Sequence, residues 1–261
     1  MHECKTVLIS GASSGIGLAC AQLFAQSGWR LILLARRADR LAKIKQQLSR
    51  STEVHCLTCD VQSQQAVDEA IAGCPPEWQT LDLLINNAGL AAGLAPMQTA
   101  DLADWERMID TNVKGLLYLT RACLPSMLQC KQGHIINVGS IAGREVYPNG
   151  GVYCATKSAV KALTKGLRED LLGTGLRVSE VAPGMVDTEF SLVRFKQDQK
   201  RSQAVYAGMQ PLKASDVAQA VLYCAQQPAH VCVAEMFLLP SAQASATRVH
   251  RQQVASAEGS D

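Results

Sequence analysis

Aromatic side chains are scarce in this chain of 261 residues: phenylalanine, tryptophan and tyrosine together make up 5% of it. So few rings disfavour a stacking platform for single-stranded nucleic acid. An excess of one charge is missing too, with 25 Lys and Arg against 23 Asp and Glu, a formal +2. Neither a nucleic acid nor a membrane surface has an electrostatic footprint to meet. Long apolar runs are also absent. Leu31 to Ala35 and Leu81 to Ile85 have strand length, well short of a bilayer span. Residues Met1 to Lys5 lack the apolar stretch of a signal peptide. Cysteine is not scarce, but the ten residues fall at irregular spacing, so reduced thiols in a cytoplasmic protein are expected. The one CxxC pair, Cys56 and Cys59, falls on a predicted strand, where positions three apart face opposite sides. No second pair or histidine cluster completes a zinc site, and no metal is expected.

What is present is an alternation of apolar strand runs and helical patterns. Strands are predicted at Thr6 to Ser10, Arg30 to Ala35, Glu53 to Thr58, Leu81 to Asn86, His134 to Gly139, Arg177 to Val181 and Ala234 to Leu239. Helices fit Ile16 to Ser27, Asp39 to Ser49, Ser63 to Ala72, Asp101 to Gln129, Val152 to Leu172 and Ser215 to Gln226. Continuously apolar strands separated by helices imply a parallel sheet covered on both faces. The expected fold is therefore α/β: one Rossmann-like, doubly wound parallel sheet of about seven strands, with helices on both faces. A single domain over 1–240 is expected, with a polar, basic lid at about 184–212. The tail 241–261 is expected to be partly disordered from Ala255 onward.

Between the first strand and its helix lies Ser10-Gly11-Ala12-Ser13-Ser14-Gly15-Ile16-Gly17. Glycines here permit a tight turn, close approach to a pyrophosphate, and close helix–strand packing. The helix N-terminus adds free N–H groups and a positive dipole end. This makes Gly11, Ser13, Ser14, Gly15, Ile16 and Gly17 candidate dinucleotide ligands. A carboxylate at the end of the second strand would hold the ribose of NAD, but Ala35 stands there, followed by Arg36 and Arg37. Two guanidinium groups suit a 2′-phosphate, so NADP(H) is the expected cofactor. A solvated basic turn is the plainer alternative.

Tyr153 and Lys157 are four apart and share a helix face. A free tyrosine, with a pKa of about 10, is a poor catalyst near neutrality, and a neighbouring ammonium favours its phenolate. Ser140, at the end of the strand from His134, is placed to hold a carbonyl oxygen near that phenol.

With these pieces assembled, the chain resembles the classical short-chain dehydrogenases/reductases. The matching residues are the SGASSGIG loop, Asp60-Val61, Asn86-Asn87-Ala88-Gly89, Asn112, Ser140, Tyr153 with Lys157, and Pro183-Gly184. By that resemblance Tyr153 exchanges the proton with a substrate carbonyl, Ser140 positions the carbonyl, and Lys157 binds the nicotinamide ribose and lowers the tyrosine pKa. Asn112 would hold a water linking Lys157 to solvent. Asp60 and Val61 would contact adenine, Asn87 the adjoining ribose, and Pro183, Gly184, Val186 and Thr188 the nicotinamide end. Two plainer roles stand beside these: Asn112 bonded to a backbone carbonyl, and Asp60 as a helix cap.

The lid sequence Thr188 to Lys196, Glu77-Trp78 and Met108 to Asn112 further resemble the NADP-dependent 3-hydroxy acid dehydrogenase branch, which acts on serine and allo-threonine. The implied reaction interconverts the 3-hydroxyl and 3-oxo groups of small hydroxy acids. Arg194 is the candidate carboxylate holder, with Arg144 and Lys196 as competitors. The alternatives are a reductase of another carbonyl (a 3-oxoacyl thioester, a diketone or a ketosteroid) and a non-catalytic NADP-binding regulator. The resemblance also implies a homo-oligomer, a tetramer or a dimer, built on the two longest helices.

Overall fold

Val7 and Ile9 point into one apolar layer while Leu8, between them, points into another. The same alternation sends Leu31 and Leu33 one way and Ile32 and Leu34 the other. Strands buried on both faces need apolar residues at every position, which is why these runs are unbroken. The computed structural model describes residues 5–252. Its strands are β1 (Thr6–Ser10), β2 (Arg30–Ala35), β3 (Val54–Thr58), β4 (Leu83–Asn86), β5 (Gly133–Val138), β6 (Leu176–Pro183), β7 (Val186–Asp187), β8 (Leu212–Lys213) and β9 (Glu235–Leu238). Seven of them form a sheet in the order β3-β2-β1-β4-β5-β6-β9, every pair parallel. The expected doubly wound fold is what the chain adopts.

The helices are α1 (Gly15–Gln26), α2 (Ala38–Leu48), α3 (Gln64–Ala72), α4 (Leu102–Ile109), α5 (Gly115–Cys130), α6 (Gly151–Asp170), α7 (Glu189–Arg194), α8 (Gln199–Ala204) and α9 (Ala214–Gln226). Helices α1, α2 and α9 supply one apolar layer, with Phe24, Leu41 and Val221. Val67 of α3 and Met127 of α5 belong to the other. No helix among the described residues is long and apolar enough to cross a membrane.

Three expectations need correction. The single helix over Asp101 to Gln129 is two helices, α4 and α5, joined by a π turn at Asp110–Lys114. Gly115, the first residue after the joint, has no room for a side chain: a Cβ there would sit 2.8 Å from Val61 Cγ2. Asp39 does not cap α2; Arg37 occupies the N-cap and Asp39 lies in the first turn, where its charge suits the helix dipole. The lid is not irregular. It holds β7 and β8, which pair with each other, and the short helices α7 and α8, capped by Thr188 and Asp198. The tail folds back as turns through a Gln243–Val249 bridge, and the expected disorder of Ala255 to Asp261 lies outside the described residues.

Neighbours β2 and β4 flank β1 on opposite sides, so the strand order reverses there. At such a reversal the crossing loops part and leave a crevice at the strand C-termini. The loops after β1, β4, β5 and β6 all open into it.

Candidate active site

The crevice is a groove of about 580 Å³, lined at one end by Arg36, Arg37 and Asp60 and at the other by Ser140, Tyr153 and Arg194. Between them run Gly11, Ser13, Ser14, Gly15, Ile16, Val61, Asn87, Lys157, Pro183, Gly184, Val186 and Thr188. The predicted site residues thus converge on one cavity, except Asn112, which lies behind it, and Gly17, which packs beneath the loop.

Gly11 and Gly15 take φ of +67° and +54°, conformations that cost an L-residue free energy and glycine very little. A Cβ on Gly17 would overlap the Gly11 carbonyl oxygen, so the first turn of α1 lies directly on the loop. No side chain caps the first amides of α1, and the Ser14 hydroxyl accepts from Arg37 Nη2 at 2.9 Å. Those amides, with the dipole behind them, form an anion site. Arg37 also binds Ser13 Oγ at 2.9 Å, so it shapes the loop as well as carrying charge beside it. Arg36 pairs with Asp60 at 3.5 Å, both half exposed.

Asp60 is not the cap of α3; Ser63 is. Instead, its Oδ1 accepts from Gln62 N at 3.1 Å. The Asn87 side chain donates to the Ser10 carbonyl at 2.9 Å, so its amide ties the β4 loop to the β1 loop.

At the other end, Ser140 follows β5 and opens a short 3-10 turn, Ile141–Gly143, its hydroxyl accepting from Ala142 N at 3.1 Å. Tyr153 lies in the first turn of α6 and its phenol interacts with the Ser140 hydroxyl. Phe190 of the lid packs against its ring at 5.5 Å between centroids. Burial pushes the phenol above its ordinary range and Tyr147 adds to that. The Ser140 hydrogen bond and the Arg194 charge act against it.

One turn on, Lys157 is 7% exposed and donates from Nζ to the Val138 carbonyl at 2.9 Å. Burial pulls its pKa down to about 8, opposed by Glu180 of β6. Arg194, which the sequence did not single out for this, brings a positive charge that bears on the phenol.

Asn112 sits in the π turn, 2% exposed. It accepts from Leu90 N at 2.8 Å, donates to Leu90 O at 2.8 Å, and donates to Thr156 Oγ1 at 3.0 Å. The plainer alternative, bonding to a backbone carbonyl, is therefore one of the things it does. A Cβ on Gly89 would lie 3.2 Å from Asn112 Oδ1 and 3.6 Å from Lys157 Nζ, so asparagine and lysine share one small space.

Of the three candidate carboxylate holders, only Arg194 faces the groove uncommitted to an acid. Its Nε donates to Gly93 O at 3.2 Å, and its guanidinium lies 5.3 Å from the Tyr147 ring centre and 5.8 Å from that of Tyr153. Arg144 forks onto Glu180 and pairs with Glu235. Lys196 pairs with Asp101 and Asp104, away from the groove.

Sequence reasoning missed Tyr147, Phe190, Tyr206 and Gln243, all groove residues. Gln243 arrives from the tail, 5% exposed, and accepts from Met185 N at 2.9 Å. Nothing local in its sequence announces it. Glu189 was missed as well. It binds Arg40 Nη1 through both oxygens, at 2.8 and 2.9 Å, and Arg37 at 3.4 Å, joining the lid to the basic end of the groove. A signal existed: Arg40 follows Arg36 and Arg37 by one helical turn.

Comparison with known proteins bears on this arrangement. The short chain dehydrogenase family matches residues 5–199. Sulfoacetaldehyde reductase 2 of Chromohalobacter salexigens is 47% identical over 239 residues, 91% of this chain and 95% of that protein. The NADP-dependent 3-hydroxy acid dehydrogenase YdfG of Escherichia coli (strain K12) is 44% identical over 248 residues, 94% and 99% of the two chains. Among solved structures, the closed form of serine dehydrogenase complexed with NADP+ superposes with a TM-score of 0.89 at 43% identity, covering 95% of this chain and all of that one. Groove, tyrosine–lysine pair and relatives agree: the chain belongs to the short chain dehydrogenase family.

Proposed function

We propose that the protein is an NADP(H)-dependent oxidoreductase that interconverts the 3-hydroxyl and 3-oxo groups of small acids. The observation that carries this is the placement of Arg194 over the Tyr153 ring. One side chain handles a carbonyl proton, and a cation beside it meets a short anionic chain. Relatives named for sulfoacetaldehyde and for 3-hydroxy acids share that pattern of a small carbonyl chain ending in an anion.

The residues present fit the cofactor. Positive-φ glycines and free helix-end amides suit a pyrophosphate, and Arg36 and Arg37, with no carboxylate at the strand end, suit a 2′-phosphate. When bound, NADPH supplies the hydride. Asp60 and Val61 would hold the adenine end, Asn87 the adjoining ribose, and Pro183, Gly184, Val186 and Thr188 the nicotinamide end. Ser140 hydrogen-bonds the carbonyl oxygen, and Tyr153 donates the proton to it in reduction and takes it back in oxidation. Lys157 would hold the nicotinamide ribose and bring a positive charge one helical turn from the tyrosine. Asn112, bonded to Leu90 and Thr156, would hold a water beside Lys157 through the remaining lone pair of its Oδ1. Arg194 forks onto the substrate carboxylate.

Assembly and location complete the proposal. A homo-oligomer, tetramer or dimer, would use α5 and α6. Leu116, Leu119 and Leu171 are buried in the monomer's own core, while Leu117 and Leu172, 42% and 84% exposed, are available to a partner. A single domain over 1–240 with its tail, working in the cytoplasm, fits the composition. Turnover of L-serine, allo-threonine and 3-hydroxypropionate with NADP+ tests the activity, and light scattering tests the assembly.

A further inference from the structure

Three consecutive residues at the end of β5 are each gripped by a charged side chain. Lys157 holds the Val138 carbonyl at 2.9 Å. Glu180 abuts Gly139 so closely that a Cβ there would overlap its Oε1. Arg144 reaches the Ser140 carbonyl at 3.4 Å. Arg144 and Glu180 are also bound to each other: Nη1 to Oε1 at 3.2 Å and Nη2 to Oε2 at 3.1 Å. Glu235 of β9 meets the same guanidinium from the more exposed side at 2.8 Å.

Glu180 is 1% exposed, in the middle of β6 opposite Asn137. Burying a carboxylate is costly even when paired, and an apolar residue of similar volume would serve packing as well or better. Nor is the edge of the sheet there short of apolar material, since Phe237 lies under Arg144. A sheet that carries this charge on the same face as the buried Val178 and Ala182 uses it for something other than cohesion.

Resting on the roles given to Ser140 and Lys157, we propose that Glu180, fixed by Arg144, is a positioning residue for the reaction. It sets the strand end that bears Ser140 and places a negative charge against Gly139, next to the Val138 carbonyl that the buried Lys157 ammonium holds. The groups around Lys157 leave this task to Glu180. Its own helix offers Tyr153, the π turn offers neutral Asn112 and Thr111, α4 offers the cation Arg107 at the groove wall, and Arg144 is spent on Glu180 and Glu235. Burial already pulls Lys157 down to about 8, and Glu180 is the group that resists it. Without that charge the ammonium releases its proton at lower pH.

Glu180→Gln keeps the shape and removes the charge. The test compares the pH dependence of kcat for wild type and variant, on whichever carbonyl the wild type reduces with NADPH. The alkaline limb should move down by about one pH unit, with kcat at pH 8 down about fivefold and KM at pH 6.5 little changed. Thermal unfolding of the cofactor-free proteins gives a readout independent of turnover. The unfolded chain keeps the Lys157 proton up to its ordinary 10.5, whereas the folded chain releases it near 8, and earlier in the variant. Stability rises with pH wherever the unfolded state holds more protons, so the variant's Tm deficit should shrink between about pH 7 and 8. Arg144→Lys keeps a positive charge but loses the fork; it should lower kcat severalfold and leave the limb in place.

A Glu180→Gln profile that superimposes on wild type, with a Tm deficit constant across pH, overturns the proposal and leaves a purely structural pair. Should Glu180→Gln not fold, an Arg144→Lys enzyme with wild-type kcat overturns it instead. If the wild type reduces no carbonyl at all, the catalytic reading falls by itself, and the unfolding comparison decides this one.

Discussion

Arg194 and Gly93 are tied by a reciprocal pair of hydrogen bonds: Gly93 N donates to Arg194 O at 3.0 Å, and Arg194 Nε donates to Gly93 O at 3.2 Å. Gly93 has φ of +68°, so the loop after β4 turns back there to receive the lid. The bonds leave the outer guanidinium nitrogens beside the Tyr153 and Tyr147 rings. A cation held this way meets an anion with little further ordering.

Arg194→Ala should therefore raise KM for a hydroxy acid by roughly ten- to a hundredfold, the worth of a charge-assisted hydrogen bond of about 1.5–3 kcal/mol. A neutral ketone should be affected far less. Steady-state kinetics on both substrates checks this; equal losses on the two would assign Arg194 to the lid alone.

The two arginines at the other end should separate. Arg36 is held by a half-exposed pair with Asp60, so Arg36→Ala should weaken NADPH about ten- to a hundredfold and leave NADH nearly unchanged. Arg37 also holds the Ser13 and Ser14 hydroxyls, so Arg37→Ala should weaken both cofactors, NADPH more. Fluorescence titration of the four pairs measures the difference.

Glu189 links the lid to Arg40 and Arg37. The pairs are about two-fifths exposed, which limits each to roughly 0.2–1 kcal/mol. Glu189→Gln should change substrate KM by no more than about fivefold, and the effect should fade in high salt. A larger effect, insensitive to salt, would mean the lid depends on this contact in a way that exposed pairs do not provide.

His134 is 2% exposed between β5 and β6, its Nε2 2.7 Å from Ser179 Oγ. Burial, with Arg177 nearby, pulls its pKa down to about 3 from 6.5. The unfolded chain takes up a proton below about 6.5 that the folded chain refuses, so stability falls as pH drops from 6.5 towards 3. Replacing His134 with Asn should flatten the acid side of the Tm profile. An unchanged acid slope would place the sensitivity elsewhere.

The sheet was legible because strands buried on both faces leave unbroken apolar runs, such as Leu31 to Ala35, and the turn glycines punctuate them. Arg36, Arg37, Tyr153 and Lys157 were legible because they are local: adjacent residues, or one helical turn apart. What escaped the sequence is long-range. Glu180 contacts Arg144 across 36 positions, Gln243 reaches Met185 across 58, and Glu189 finds Arg40 across 149. The π turn escaped for a related reason. It holds Asn112 on Leu90 and Thr156, 22 and 44 positions away, contacts that no periodicity within the helix records. Arg144 and Lys196 were equal to Arg194 as bare cations, and only their acidic neighbours in the fold set them apart.

The central claim is that Tyr153 exchanges a proton with the oxygen on C3 of a small acid while NADP(H) exchanges hydride. The most direct measurement is NADP+ reduction by the purified protein with L-serine, D-serine, the allo-threonine isomers and 3-hydroxypropionate, beside Tyr153→Phe. The account predicts turnover of one or more of these acids, lost by roughly a hundred- to ten-thousandfold in the phenylalanine variant, with NADP+ binding retained. Turnover that survives in Tyr153→Phe would contradict the acid–base role. A wild type that is silent on every acid yet reduces neutral ketones with NADPH would contradict the substrate class.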